Sequence, residues 1–168
     1  MSAGNRYKIM LADDEGIVID SLKFIIEKEF GDACTIEYAK TGRSVIELAE
    51  TYRPDIAIMD IQMPGINGIE AMREIRENNH RVVFIVMSAY DKFDYAKEAI
   101  KLGVLEYITK PMERTRIIAA LTRAMEQIDK ERTKRRNDLM IREKLETVMP
   151  IIESGLVYNM LFQEHFTE

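Results

Sequence analysis

Over the first three-quarters of the chain, short apolar runs alternate with longer stretches in which apolar residues recur every three or four positions. The short runs predict strands at Tyr7–Ala12, Thr35–Ala39, Asp55–Asp60, Val82–Met87 and Val104–Ile108. Several are nearly unbroken Ile, Val, Met and Phe, as strands covered on both faces must be. Between them the period is helical. Val18, Leu22, Ile25 and Ile26 share one helix face, and Gly31 supplies the stop. Val45, Leu48, Ala49 and Tyr52 mark a second helix before Pro54; Ile69, Met72 and Ile75 mark a third. Phe93, Ala96 and Ile100 mark a fourth that ends at Gly103, and Ile117, Ile118, Leu121 and Met125 a fifth beginning after Pro111. Five strand–helix units joined by right-handed crossovers predict an α/β fold, a doubly wound five-stranded parallel sheet.

The pattern changes near Ile128. The stretch Asp129–Lys144 is dense in charge and free of Gly and Pro, and is expected to continue the fifth helix outward until Pro150, with an apolar segment, Ile151 to Phe162, beyond it. This divides the chain into residues 1–128 and a helical linker, 129–168. Ile118, Leu121, Met125 and Ile128 have the three-four-three spacing of a coiled-coil seam, yet the same spacing suits a helix packed on the sheet. Both readings stand at this level. A second stripe, Ile141, Leu145, Val148 and Ile152, is displaced by one residue and has no sheet to cover it. Residues 141–162 are therefore expected to form a helical pair-maker, kinked at Pro150, that brings two copies together.

Composition adds exclusions. A hydrophobic share of 46% with 32% charged residues is that of a globular protein, not a disordered one. The net charge of −5 gives no electrostatic reason for these residues alone to hold nucleic acid. Cys34 is the only cysteine, which excludes a disulfide framework and fits a reducing cytoplasm. The N-terminal residues have no apolar stretch of signal-peptide length, and the longest apolar run, Val82 to Met87, is too short to span a bilayer. A soluble, intracellular protein without membrane contact is expected.

The chemistry sits at strand ends. Asp13 and Asp14 follow the first predicted strand and Asp60 ends the third. With strand order 2-1-3-4-5 those strands are neighbours, and the crevice at their carboxyl ends is where such sheets bind ligands. Three carboxylates then converge. Two charges about 4 Å apart repel by roughly 1 kcal/mol in water and roughly 4 kcal/mol at an effective dielectric of 20, so either a carboxyl keeps its proton or a cation joins them. Oxygen-only ligands suit Mg²⁺. Lys110 follows the fifth strand and Ser88 the fourth, bringing an ammonium and a hydroxyl to the same edge. Singly, Asp14 or Ser88 reads as a helix cap, Lys110 as a surface lysine and Pro111 as a helix-start proline. Together they fall at the ends of four different strands, and that coincidence points to function.

The blocks LADDE (11–15), IAIMDIQMPGINGIE (56–70), VMSAYD (86–91) and KLGVLEYITKP (101–111) resemble, in order, the receiver domain of two-component response regulators. The resemblance covers residue 6 to about 128. It implies a flavodoxin-like sheet of order 2-1-3-4-5 and a phosphorylation switch that is not an enzyme in its own right, though it assists its own Mg²⁺-dependent phosphotransfer and dephosphorylation. Asp60 would be the phosphoacceptor, attacking a phosphohistidine of a sensor histidine kinase as a carboxylate nucleophile. Asp14, Asp60 and the backbone carbonyl of Gln62 would bind Mg²⁺, with Asp13 acting mainly through a metal-bound water, and Lys110 would pair with the phosphoryl oxygens. Ser88 would swing to the phosphoryl group, and Tyr107 would turn inward to change the face made by the fourth helix, fifth strand and fifth helix, a possible dimer face. Ala89 leaves access, Gln62 and Tyr90 flank the site, Gly65 and Gly68 shape the loop, and Lys110–Pro111 would be cis. Met59, Met63 and Met87 read as soft core filling.

An aspartyl-phosphate hydrolase also uses a strand-end Asp with Mg²⁺, but it needs a second acid two residues on; here Gln62 stands there. His80 lies in a polar turn and His165 in the tail, neither on a helical dimer face, which excludes a sensor kinase. No glycine-rich nucleotide loop occurs. The block from Ala89 to Pro111 and the tail resemble response regulators with an AraC-type helix-turn-helix output domain. None lies within the 168 residues, so transcription control would act through a domain missing from this chain; the alternative is a receiver that docks a partner protein without binding DNA.

Overall fold

Period-two alternation along the strands divides their side chains between the two faces of one sheet. In the computed structural model, which describes residues 6–89 and 93–148, β1 (Tyr7–Ala12) sends Tyr7, Ile9 and Leu11 to one face and Met10 and Ala12 to the other. β3 (Ile56–Asp60) divides Ile56 and Ile58 from Ala57 and Met59, and β4 (Val83–Ser88) divides Val83, Ile85 and Met87 from Phe84 and Val86. With β2 (Cys34–Ala39) and β5 (Glu106–Thr109) they form a sheet of order β2-β1-β3-β4-β5 in which every neighbouring pair is parallel. This is the predicted doubly wound fold.

Parallel strands need crossovers, and the helices supply two covering layers. α1 (Gly16–Phe30) and the first turns of α5 (Arg114–Val148) cover one face through Ile19, Leu22, Ile26, Ile117, Leu121 and Met125. α2 (Gly42–Tyr52), α3 (Gly68–Asn78) and α4 (Phe93–Lys101) cover the other through Val45, Ala49, Ile69, Met72, Ile75 and Ala99. Local signals set the ends. Gly31 terminates α1 at φ 56°, Thr41 and Ser44 form a reciprocal cap on α2, and the Asn67 side chain accepts from Glu70 N at 3.0 Å at the start of α3.

Four strands match their predicted bounds to within a residue. β5 differs more, starting at Glu106 and not Val104. Val104 donates its amide to Ala99 O at 3.3 Å, so it closes the turn after α4, where Gly103 has φ 74°, before the chain joins the ladder. The structure also decides between the two readings of the first apolar set. Leu121, Met125 and Ile128 are buried in the sheet's own core and Ile118 packs against it, so these residues cover the sheet and are not a seam for another copy.

The chain divides into two compact units, Met1–Ile128 and Asp129–Glu168, with the boundary inside α5. In the second unit α5 continues without interruption to Val148; Leu139, Met140 and Ile141 are exposed there. Pro150, Ile152 and the segment to Phe162 lie outside the described residues, and with them the expected kink. Among the described residues no helix is long and apolar enough to cross a membrane.

Candidate functional site

β1 lies between β2 and β3, so the crossover from β1 leads to one side of the sheet and the later crossovers lead to the other. The topology reverses between β1 and β3, and their carboxyl ends open into a crevice. Asp13 and Asp14 leave β1 there, Asp60 ends β3, Ser88 ends β4 and Lys110 follows β5. The four strand ends thus deliver Asp13, Asp14, Asp60, Ser88 and Lys110 to one edge.

One carboxylate oxygen from each of Asp13, Asp14 and Asp60 lies within 4.8 Å of the other two. Asp13 and Asp60 are buried, at 2% and 5% exposure, and Asp14 is exposed. Lys110 Nζ donates to Asp13 Oδ2 at 2.9 Å and to Asp60 Oδ2 at 3.4 Å. The second oxygen of each buried carboxylate accepts a backbone amide: Asp13 Oδ1 from Glu15 N at 2.9 Å, Asp60 Oδ1 from Gln62 N at 3.3 Å. The N-cap of α1 is Glu15, not Asp14, and it makes no side-chain cap bond. The Lys110 amide donates to Ser88 O at 2.8 Å, and the Lys110–Pro111 bond is cis, as the resemblance implied.

Burial and, secondly, the charge of Asp13 push the Asp60 carboxyl up to about 6; Lys110 and the Gln62 amide only partly offset them. Burial alone would depress Lys110, but its hydrogen bond to Asp13 and the charges of Asp60 and Asp13 raise it, so it stays an ammonium at neutral pH. Three carboxylates against one ammonium leave a formal excess of negative charge in an oxygen-only donor set. No His or Cys belongs to the cluster. Such a set fits a hard divalent cation of the Mg²⁺ class.

A cavity of about 490 Å³ opens over the cluster, lined by Asp14, Asp60, Gln62, Ala89, Tyr95 and Lys110 among others. Ser88 is fully buried, and Tyr107, opposite Val86 in the β4–β5 register, is half-buried against the core cluster on the α2–α3–α4 side. Met59, Met63 and Met87 are buried, as filling. The loop after β3 turns through Gly65 at φ 79°. At Gly68 a Cβ would overlap the Asp60 carbonyl oxygen and come within 2.8 Å of Ile61 Cα, so only glycine lets α3 start this close to the strand. Tyr90 lies outside the described residues. Glu15 and Tyr95 line the cavity without having been singled out in the sequence. Glu15 adjoins the acidic pair; Tyr95 sits in α4 beyond the connection from β4, and its only signal was an aromatic in a helical pattern.

Comparison with known proteins agrees with this geometry. Residues 9–122 match the response regulator receiver domain family. The chain is 34% identical over 142 residues to the uncharacterized transcriptional regulatory protein YesN of Bacillus subtilis, covering 84% of this chain and 39% of YesN. It is 34% identical over 117 residues to the transcriptional regulatory protein HptR of Staphylococcus aureus, covering 70% of this chain and 46% of HptR. It therefore spans less than half the length of these curated relatives. Among solved structures, the REC domain of AraT, a response regulator from Geobacillus stearothermophilus, is 32% identical with a TM-score of 0.68, covering 75% of this chain and 98% of that one. Fold, acidic edge and matched span agree, and the chain belongs to the response regulator receiver domain family.

Proposed function

We propose that Asp60 is the phosphoacceptor of a two-component system, taking its phosphoryl group from a phosphohistidine of a sensor histidine kinase in the cytoplasm. The observation that carries this reading is the buried Asp60 carboxylate with Lys110 at 3.4 Å and two further aspartates beside it. A carboxylate oxygen of Asp60 forms the new O–P bond as the P–N bond of the donor breaks, and the leaving imidazole nitrogen takes up a proton. With its carboxyl at about 6, Asp60 is mostly ionised above neutral pH and can act as nucleophile. Lys110, held by Asp13 and Asp60, faces the arriving phosphoryl oxygens as a fixed positive charge. Asp13, Asp14, Asp60 and the backbone carbonyl of Gln62 would hold Mg²⁺. When bound, the ion neutralises charge on the transferring group.

After transfer, the Ser88 hydroxyl turns to a phosphoryl oxygen and Tyr107 moves into the space it leaves. Tyr107 starts from a half-buried position against the core. The change alters the face made by α4, β5 and α5, where Glu106 pairs with Arg123 at 2.6 Å and Arg116 at 3.6 Å. The output is control of transcription by an AraC-type DNA-binding domain outside these residues. The names of YesN and HptR, transcriptional regulatory proteins longer than this chain, support that direction. The linker from Asp129 is proposed to pair two copies. Incubation with acetyl phosphate and Mg²⁺ tests the reading: one phosphoryl mass is expected on the wild type and none with EDTA or in Asp60→Asn. Undiminished labelling of Asp60→Asn would reject it.

A further inference from the structure

Gly42 is the first residue of α2, distant in sequence from every strand-end residue of the acidic site. It is buried, and its backbone lies directly on the loop that leaves Asp60. A Cβ built there would overlap the Ile66 carbonyl oxygen and fall 2.7 Å from the Ile66 carbonyl carbon and 2.8 Å from Ile66 Cβ. Its φ lies outside the left-handed region, so space and not conformational freedom demands glycine. Two of the three obstructing atoms are backbone, which cannot move aside as the tip of a flexible side chain can.

The contact is the far anchor of a loop already fixed at its near end. Gly68 stacks on the Asp60 backbone and donates its amide to Ile61 O at 2.7 Å. Between these two anchors lie Gln62 and Met63, which line the cavity with Asp60. Ile66 also packs against the core cluster that holds Val45 and Ala49 of α2. The α2 start is itself immobilised by the Thr41–Ser44 reciprocal cap, and Ala39 just before it accepts the Asp13 amide at 3.3 Å. One junction, Ala39 to Gly42, thus touches both the acidic pair of β1 and the loop of β3.

We propose that Gly42 is a positioning residue: its close approach to Ile66 fixes the loop that carries the Gln62 carbonyl and sets the orientation of the Asp60 carboxylate. This rests on the phosphoacceptor reading of Asp60. The site would then be preorganised from α2, and a shift of α2 would change cation affinity without touching a ligand.

The test compares Gly42→Ala with wild type in the full chain. In metal-free protein, the amide signals of residues 61–68 are expected to shift and Gly68 to lose exchange protection. Calorimetric titration with Mg²⁺ should show affinity falling by about tenfold or more, the usual cost of removing a supporting contact. Ile25→Val, on the opposite side of the sheet, serves as a control that lowers stability and is expected to keep wild-type Mg²⁺ affinity. If Gly42→Ala does not fold, Ile66→Gly decides, since it removes the Cβ that lies on Gly42 and frees the loop backbone at the same contact. Wild-type affinity and unshifted loop amides in the folded variant would overturn the proposal. A wild type that neither binds Mg²⁺ nor labels would instead reject the phosphoacceptor reading, while the metal-free amide shifts would still decide on the brace.

Discussion

Replacing Asp60 by Asn should stabilise the metal-free protein, and only above acidic pH. The Asp60 carboxyl is buried beside Asp13 and titrates at about 6 in the folded chain against 3.8 for the free group. Below the lower value it is neutral in both folded and unfolded states, and nothing is lost. Between the two, the native state keeps its proton while the unfolded chain ionises, so stability falls as pH rises. Above about 6 the loss is complete. A difference of this size, in which the offset from Lys110 is already included, corresponds to at most about 3 kcal/mol, and relaxation of the site reduces it to roughly 2 kcal/mol. Asn keeps the shape and removes the charge, while Lys110 keeps its 2.9 Å bond to Asp13. Urea unfolding followed by circular dichroism in EDTA measures this directly, since the chain has no tryptophan. At pH 7.5 the Asn variant should exceed wild type by roughly 2 kcal/mol, with the two converging near pH 4. Adding Mg²⁺ should narrow the gap by stabilising wild type more. An Asn variant no more stable than wild type at pH 7.5 without metal would refute this electrostatic account.

Ser88→Ala should label on Asp60 nearly as wild type does while the Tyr107 and α4–β5–α5 amide signals respond less; identical responses of the two labelled proteins would reject the coupling. Arg76 donates to the carbonyls of His80, Val82 and Leu102 at 3.0, 2.6 and 3.2 Å and lies over the Phe84 ring. Arg76→Ala should therefore cost about 2–4 kcal/mol in urea unfolding, and a loss under about 0.5 kcal/mol would show the tie to be idle. Light scattering should find the full chain dimeric with a phosphoryl mimic and a version ending at Ile128 monomeric; two monomers at high concentration would make the linker a spacer.

Much of the fold is legible because each strand is a short apolar run bounded by helical period, and burial on both faces leaves little choice of residue. Asp13, Asp14, Asp60, Ser88 and Lys110 are legible as a group because they fall at the ends of four different strands. Val104 shows the limit: it is as apolar as a strand residue, and only the bond to Ala99 O assigns it to the turn. Ile118, Leu121, Met125 and Ile128 show another, since three-four-three spacing serves a sheet-covering helix and a seam equally well. Tyr95 lines the cavity and Gly42 lies against Ile66 only because elements remote in sequence meet, and no local pattern encodes such meetings. The pairing of Lys110 with both Asp13 and Asp60 likewise needed three strand ends in one place.

The central claim is that one carboxylate, that of Asp60, receives the phosphoryl group. An acyl phosphate on aspartate is reduced by borohydride to homoserine, which marks the acceptor permanently. After incubation with acetyl phosphate and Mg²⁺ and reduction, peptide mass spectrometry should find homoserine at position 60 and unmodified aspartate at positions 13 and 14. Homoserine at position 13 or 14 in place of 60, or none in a protein that has taken up a phosphoryl mass, would contradict the account.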